Sequence, residues 1–287
     1  MSEIKALPIA LWHRLPLLVR SILGGFLVFF ILQAGWGTLM ILNMTTSPAI
    51  PWAAPLGLVY LWLVFKYFNG KWGPRSTSIA RSESMRARRL LRGEWKLAIP
   101  AIIFVLIFFV AVTFVSYRLV DIPADDNAMP DLPWWSLYST LLMISLVAGV
   151  SEEAGFRGYM QGPLEKRYGP VVAIGVAAVF FWLAHLNHAS GAARFPALFV
   201  MGASLGALAY CARSVIPAII AHATADAIVF TGATADIGLH ELWYPVHVRE
   251  SGVDGLFVVM ACLVVVSGVV MTITLRRLAR ATRIPEA

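Results

Sequence analysis

The chemistry in this chain is concentrated in three short groupings: Glu152-Glu153-x-x-x-Arg157, Phe181-x-x-x-His185 and His222-x-x-x-Asp226. Each interrupts an otherwise apolar run. A charged side chain at bilayer depth costs about 2.5–3.5 kcal/mol on insertion scales, so residues of this kind inside a span are rare and usually functional. On a helix, Glu153 and Arg157 are i,i+4 neighbours able to neutralise one another. Glu152 lies about 100° further round, where Arg157 reaches it less easily. The spacing therefore predicts a structural ion pair beside a working carboxylate. The plainer alternative is that all three merely lock a helix to its neighbours. Phe181 with His185, and His222 with Asp226, are again four apart and share helix faces. A lone intramembrane histidine is more often a packing residue, and His188, next to a span's end, is read that way.

Two histidines and several carboxylates on separate spans need mutual solvation in a shared polar site. Two chemistries suit them. A glutamate and a histidine deprotonate water while a His/Asp pair stabilises a tetrahedral oxyanion. Alternatively, His185, His222 and Asp226 ligate Zn²⁺ and leave a position open for water. No His-Glu-x-x-His helix supports the zinc alternative. Ser151 has neither a Gly-x-Ser-x-Gly elbow nor a suitable loop, which weakens a serine mechanism. A carboxylate–histidine proton relay in a transporter stays open, disfavoured because no inverted repeat or paired broken helices are evident.

The elements that must position these groups are membrane helices. Hydrophobic residues make up 59% of the 287-residue chain and charged ones 14%. Several apolar runs reach the ~20 residues that cross a bilayer as a helix. The expected fold is all-α and polytopic, with about eight transmembrane helices around an intramembrane polar site. The expected spans are 17–43, 51–68, 97–119, 134–162, 170–188, 196–212, 215–231 and 255–275. The net charge of +7 resides in loops and tails, which suits anionic headgroups and orientation and argues against nucleic acid. The basic connection 69–96, Lys166-Arg167, Arg213 and the arginines after Leu275 define one side, read as cytoplasmic with both termini. The acidic, proline-rich loop with Asp121, Asp125, Asp126 and Asp131, and the polar loop with Asp236, His240, Glu241, His247 and Glu250, suit the other. Cys211 and Cys262 fall in apolar spans as free thiols. There is no cleavable signal pattern. Gly202 and Gly206 form a small-xxx-small face, a weak signal alone. Asn43-Met44-Thr45 matches a glycosylation pattern too common to use.

With Pro163, Pro170 and Pro217 taken as helix ends, Glu152, His185 and His222 lie about 15, 22 and 8 Å from them. Tilt, uneven helix ends or a shortened span must close that gap.

In that order on separate apolar spans, Glu152-Glu153-x-x-x-Arg157, Phe181-x-x-x-His185 and His222-x-x-x-Asp226 resemble the CAAX-protease and bacteriocin-processing (CPBP) family, also called Abi or type II CAAX prenyl endopeptidase-like. The resemblance covers about 130–233. It divides the chain into N-terminal spans and a basic loop (1–129), a catalytic core (130–233), and an external loop with the last span and basic tail (234–287). It implies an intramembrane endopeptidase, glutamic-type or metallo-, in a bacterial plasma membrane. Its substrate would be a membrane-associated protein or peptide, lipid-modified or not. By analogy Glu152 activates water, His185 assists, and His222 with residue 226 stabilises the oxyanion. Glu153, Arg157 and Phe181 support the site. The family accepts Asn or Asp at the last position, and an ionised Asp226 cannot donate to an oxyanion. It must be protonated, orient His222 or bind a metal. No cofactor is required in the preferred reading, with Zn²⁺ the alternative. Because some members resemble bacteriocin self-immunity proteins or scaffolds, a non-catalytic membrane scaffold is the competing function.

Overall fold

A computed structural model describes residues 12, 14–122, 132–186, 190–234 and 246–282. Asp125, Asp126 and Asp131, His188, and Asp236, His240 and Glu241 lie outside the described residues. The described residues are helical, with no strand among them. That is what apolar segments require where water cannot satisfy backbone N–H and C=O groups.

In chain order the helices are α1 (Leu17–Thr46), α2 (Ala53–Phe68), α3 (Ser78–Met85), α4 (Arg92–Leu119) and α5 (Trp134–Glu152). A π-helical segment follows (Glu153–Gln161), and then α6 (Gly162–Tyr168), α7 (Pro170–Leu183), α8 (Phe195–Ala212), α9 (Ile216–Thr234), α10 (Val248–Ser251) and α11 (Gly255–Ala281). Among the described residues five helical stretches are long and apolar enough to cross a membrane: α1, α4, α5 through α6, α8 and α11. Three shorter apolar helices, α2, α7 and most of α9, lie among them. The outer faces carry exposed Leu27, Phe30, Ile41, Trp62, Val265 and Val266, side chains that lipid solvates better than water. The chain is an integral, polytopic all-α membrane protein.

Local signals account for several boundaries. Proline stands in the first turn of α7 and α8, where its missing N–H has no partner to lose. Asp254 caps α11 by accepting from the Phe257 N–H at 2.8 Å. Asn43 is a buried staple of the α1–α2 turn: it donates to the Ser47 and Ile50 carbonyls and accepts from the Ala53 N–H. Cys211 and Cys262 are free thiols.

The connections group at two ends. At one, Leu17, Ser84, Arg86, Gly162, Arg213 and Thr282 surround one cavity. At the other, Ser136 and Trp135 donate to the Pro48 and Ala49 carbonyls, and Arg118 at the end of α4 pairs with Asp254 at 2.7 Å. The segments expected on the basic side and those expected opposite are thus physically separated.

Two departures from the expected spans position the site. The fourth apolar segment runs through Gly162-Pro163 without ending, as one stretch from Trp134 to Tyr168. The fifth stops at Leu183, short of the expected 188. Counted from the actual turn at Gly169, Glu152 and His185 are about 26 and about 24 Å away at 1.5 Å per residue, so they stand nearly level. At the start of α9, the Val215 N–H donates to the Arg86 carbonyl, and Arg86 in turn reaches the Arg157 carbonyl. The start of α9 is therefore recessed towards the middle of the long stretch, and His222 needs only about 9 Å of helix to reach the glutamates.

Candidate active site

The site is built on a four-residue repeat. Gly149, Glu153, Arg157, Gln161 and Glu165 follow at intervals of four along the stretch from α5 to α6. On an α-helix of 3.6 residues per turn such a row drifts steadily round the axis. The wider turn of the π-helical segment offsets that drift, so the row keeps facing the same neighbours. A Cβ on Gly149 would lie 2.9 Å from the Ala223 Cβ and 3.0 Å from the Ile219 carbonyl, so α9 crosses α5 where only glycine fits. A Cβ on Gly155 would lie 2.7 Å from the Gly25 carbonyl, so α1 closes the opposite side. Lower down, Arg157 Nη2 donates to the Gly202 carbonyl at 2.9 Å and Gln161 Nε2 to the Gly206 carbonyl at 3.0 Å. A Cβ on Gly206 would lie 2.7 Å from Gln161 Oε1, so the bare backbone of α8 admits the polar row there, whereas a Cβ on Gly202 would meet Ala178 of α7.

Glu153 is fully buried and its Oε1 is doubly engaged: Arg157 Nη1 donates at 2.7 Å and His222 Nδ1 at 2.8 Å. Arg157, also fully buried, stacks with its guanidinium carbon 4.6 Å above the Phe181 ring. The same ring meets His222 edge-on at 5.6 Å and His185 at 4.9 Å between centroids. Phe181 is thus the apolar floor on which the arginine and both histidines are set.

Glu152 is differently placed. It is 6% exposed, and its Oε2 has no hydrogen-bond partner among the described residues. It lies 4.0 Å from His222 Nε2, while Asp226 Oδ2 lies 3.6 Å from that nitrogen. Both distances exceed a direct hydrogen bond and fall within the reach of a bridging water. Because Nδ1 of His222 donates to Glu153, Nε2 is the nitrogen left for chemistry.

The structure brings Glu152, Glu153, Arg157, Phe181, His222 and Asp226 together; Asp226 stands 3.6 Å from His222 Nε2, and the hydrogen bond that orients His222 is made to Glu153. One position differs from expectation. His185 is not on a helix face with Phe181: it follows the last residue of α7, in a turn. There its Nδ1 donates to the Phe181 carbonyl at 2.7 Å, one of the carbonyls that a helix end leaves without a backbone partner. It reaches the rest of the site through the Phe181 ring. Gln161 and Glu165, not singled out from sequence, extend the row, and their i+4 register with Arg157 was the available signal.

Among the described residues no three His, Cys, Asp or Glu side chains are grouped to hold a metal ion.

The fold and the site are those of a helical membrane protein that buries two carboxylates, a guanidinium and an imidazole among its helices. Residues 133–228 match the family model described as type II CAAX prenyl endopeptidase Rce1-like. That match bears out the resemblance: over this segment the chain is similar to the type II CAAX prenyl endopeptidases. No curated protein and no solved structure matches the chain.

Proposed function

We propose that the chain is an intramembrane endopeptidase that hydrolyses peptide bonds with a water activated by Glu152. The observation that carries this is the contrast between the paired glutamates. Glu153 is committed through Oε1 to Arg157 and His222, its Oε2 unpartnered, whereas Glu152 is held by no arginine and its unpartnered Oε2 faces His222 Nε2 at 4.0 Å. A carboxylate so placed takes a proton from water as the oxygen attacks the scissile carbonyl. His222, carrying a second proton at Nε2, donates to the oxyanion. Asp226, 3.6 Å from that nitrogen, keeps its environment negative. Collapse of the intermediate breaks the C–N bond, and Glu152 returns its proton to the leaving amine. His185, across the Phe181 ring, assists from the rim. No metal enters these steps. The substrates are membrane-associated proteins or peptides, including lipid-modified ones. The protein sits in a bacterial plasma membrane with both termini cytoplasmic, as the basic connections favour.

The test is cleavage of membrane-anchored reporter peptides, with and without a prenyl group, by the purified protein in detergent and in vesicles. Glu152-dependent cleavage is the expected result. A folded protein that cleaves none of them would leave the scaffold or self-immunity function.

A further inference from the structure

A second, separate constellation lies at the basic end of the helices. A cavity of about 830 Å³ is lined there by four basic residues, Arg86, Lys166, Arg167 and Arg213, and two acidic ones, Glu83 and Glu165. Arg86 and Glu165 neutralise each other through two hydrogen bonds of 2.9 and 3.0 Å. Lys166, Arg167 and Arg213 are exposed and make no ion pair with a described residue, so the cavity holds a surplus of positive charge. The N-terminus of the 30-residue α1 opens on it at Leu17, adding N–H groups that favour an anion. Arg213 holds a left-handed backbone, φ 50°, at the position after a helix where glycine is the usual choice. A cation is kept there despite that preference.

The cavity continues into an apolar groove. A space of about 520 Å³ between α8 and α11 is lined by Phe199, Val200, Ala203, Ala207 and Met271, and it shares Tyr210, Cys211 and Ala279 with the cavity. Arg276 stands at its basic end. From Val200 to Cys211 the groove follows about 16 Å of helix, the direction an acyl chain takes from the headgroup layer towards the bilayer centre.

We propose that cavity and groove form one site for an anionic phospholipid, its phosphate among Lys166, Arg167 and Arg213 and one acyl chain between α8 and α11. Charge complementarity selects an anion, and the continuous apolar groove selects one that carries a hydrocarbon chain. A basic pocket between membrane helices on the cytoplasmic side is where such headgroups bind. A second copy of this chain would bring like charge to the same surface. The lipid would tie α6, α8 and α11 together and so brace Gln161 and the polar row from below.

The test uses the full-length protein, delipidated in neutral detergent, with lipid retention read by native mass spectrometry and stability by thermal unfolding. Phosphatidylglycerol should be retained at least about tenfold better than phosphatidylcholine, a difference of about 1.4 kcal/mol, and should raise the unfolding temperature. The triple variant Lys166→Ala, Arg167→Ala, Arg213→Gly should lose that preference, with glycine relieving the backbone at 213. Ala203→Phe, which fills the groove, should weaken retention of both lipids while the lipid-free unfolding temperature stays unchanged. Equal retention of the two lipids, or an undiminished preference in the triple variant, would overturn the proposal. So would stabilisation by glycerol 3-phosphate equal to that by the lipid, which would mark a site for a free anion.

Discussion

His222 Nδ1 stands 2.8 Å from Oε1 of Glu153, 69 residues earlier in the chain. Arg157 donates to the same oxygen. One carboxylate therefore holds the arginine that anchors α8 and the histidine that α9 carries to the site. Glu153 is the junction between structure and chemistry, and Glu152 beside it is left free.

Glu152→Gln should abolish cleavage, by about 10²-fold or more, because an amide cannot take the proton. The unfolding temperature should stay close to wild type, since the lost oxygen has no protein partner. The pair of measurements is turnover and thermal unfolding in one detergent. Residual activity near wild type would remove Glu152 from the role of base.

Glu153→Ala should lose both folding and activity. It leaves the fully buried Arg157 charge without its partner, a loss of about 3–5 kcal/mol for a broken buried pair, and frees the His222 ring. Folded yield by size-exclusion chromatography and chemical unfolding measure the first effect. A stable, folded Glu153→Ala protein would contradict the geometry.

Gly149→Val tests the crossing of α5 and α9. Its Cβ alone would meet Ala223 and the Ile219 carbonyl at 2.9–3.0 Å, so the helices must part, at about 1–3 kcal/mol for overpacking. The separation moves His222 away from Glu152, and activity should fall more than stability. Gly175→Ala on α7, where a new Cβ meets nothing within 4 Å, serves as the control.

Asp226→Asn should keep substantial activity, and chelators should have little effect, because the proposed steps use residue 226 only to set the surroundings of His222. A chelator-sensitive wild type rescued by Zn²⁺, with a folded but inactive Asp226→Asn, would reverse this and return His185, His222 and Asp226 to the role of ligands.

Asp254 predicts an acid limit at the opposite end of the molecule. The Phe257 N–H, and then Arg118, hold its carboxyl below the usual aspartate range. A depressed value in the folded state stabilises the protein above the unfolded value and loses that effect as pH falls through the folded one. Unfolding temperatures should therefore drop below about pH 4, with a smaller drop in Asp254→Asn. Equal acid sensitivity in both proteins would show that the Arg118–Asp254 contact contributes nothing.

The sequence by itself determined the class of fold, the apolar segments, the residues able to do chemistry and the pairing of Glu153 with Arg157. These are local matters: hydropathy dictates helices in lipid, and an i,i+4 spacing brings two side chains together on whatever helix carries them. It also assigned the basic connections to one side, and Leu17, Arg86, Lys166, Arg213 and Thr282 do meet around one cavity. Only the tertiary structure decided which residue orients His222. That depends on where α9 crosses α5, and the crossing is set by the missing Cβ of Gly149 and the recessed start of α9 at Arg86, contacts between residues far apart in the chain. It likewise decided that helix continues through Pro163, that a π-helical segment keeps the polar row aligned, and that α7 ends before His185. No local pattern specifies these, because helix ends and turn width inside a membrane protein answer to the neighbours that satisfy the backbone.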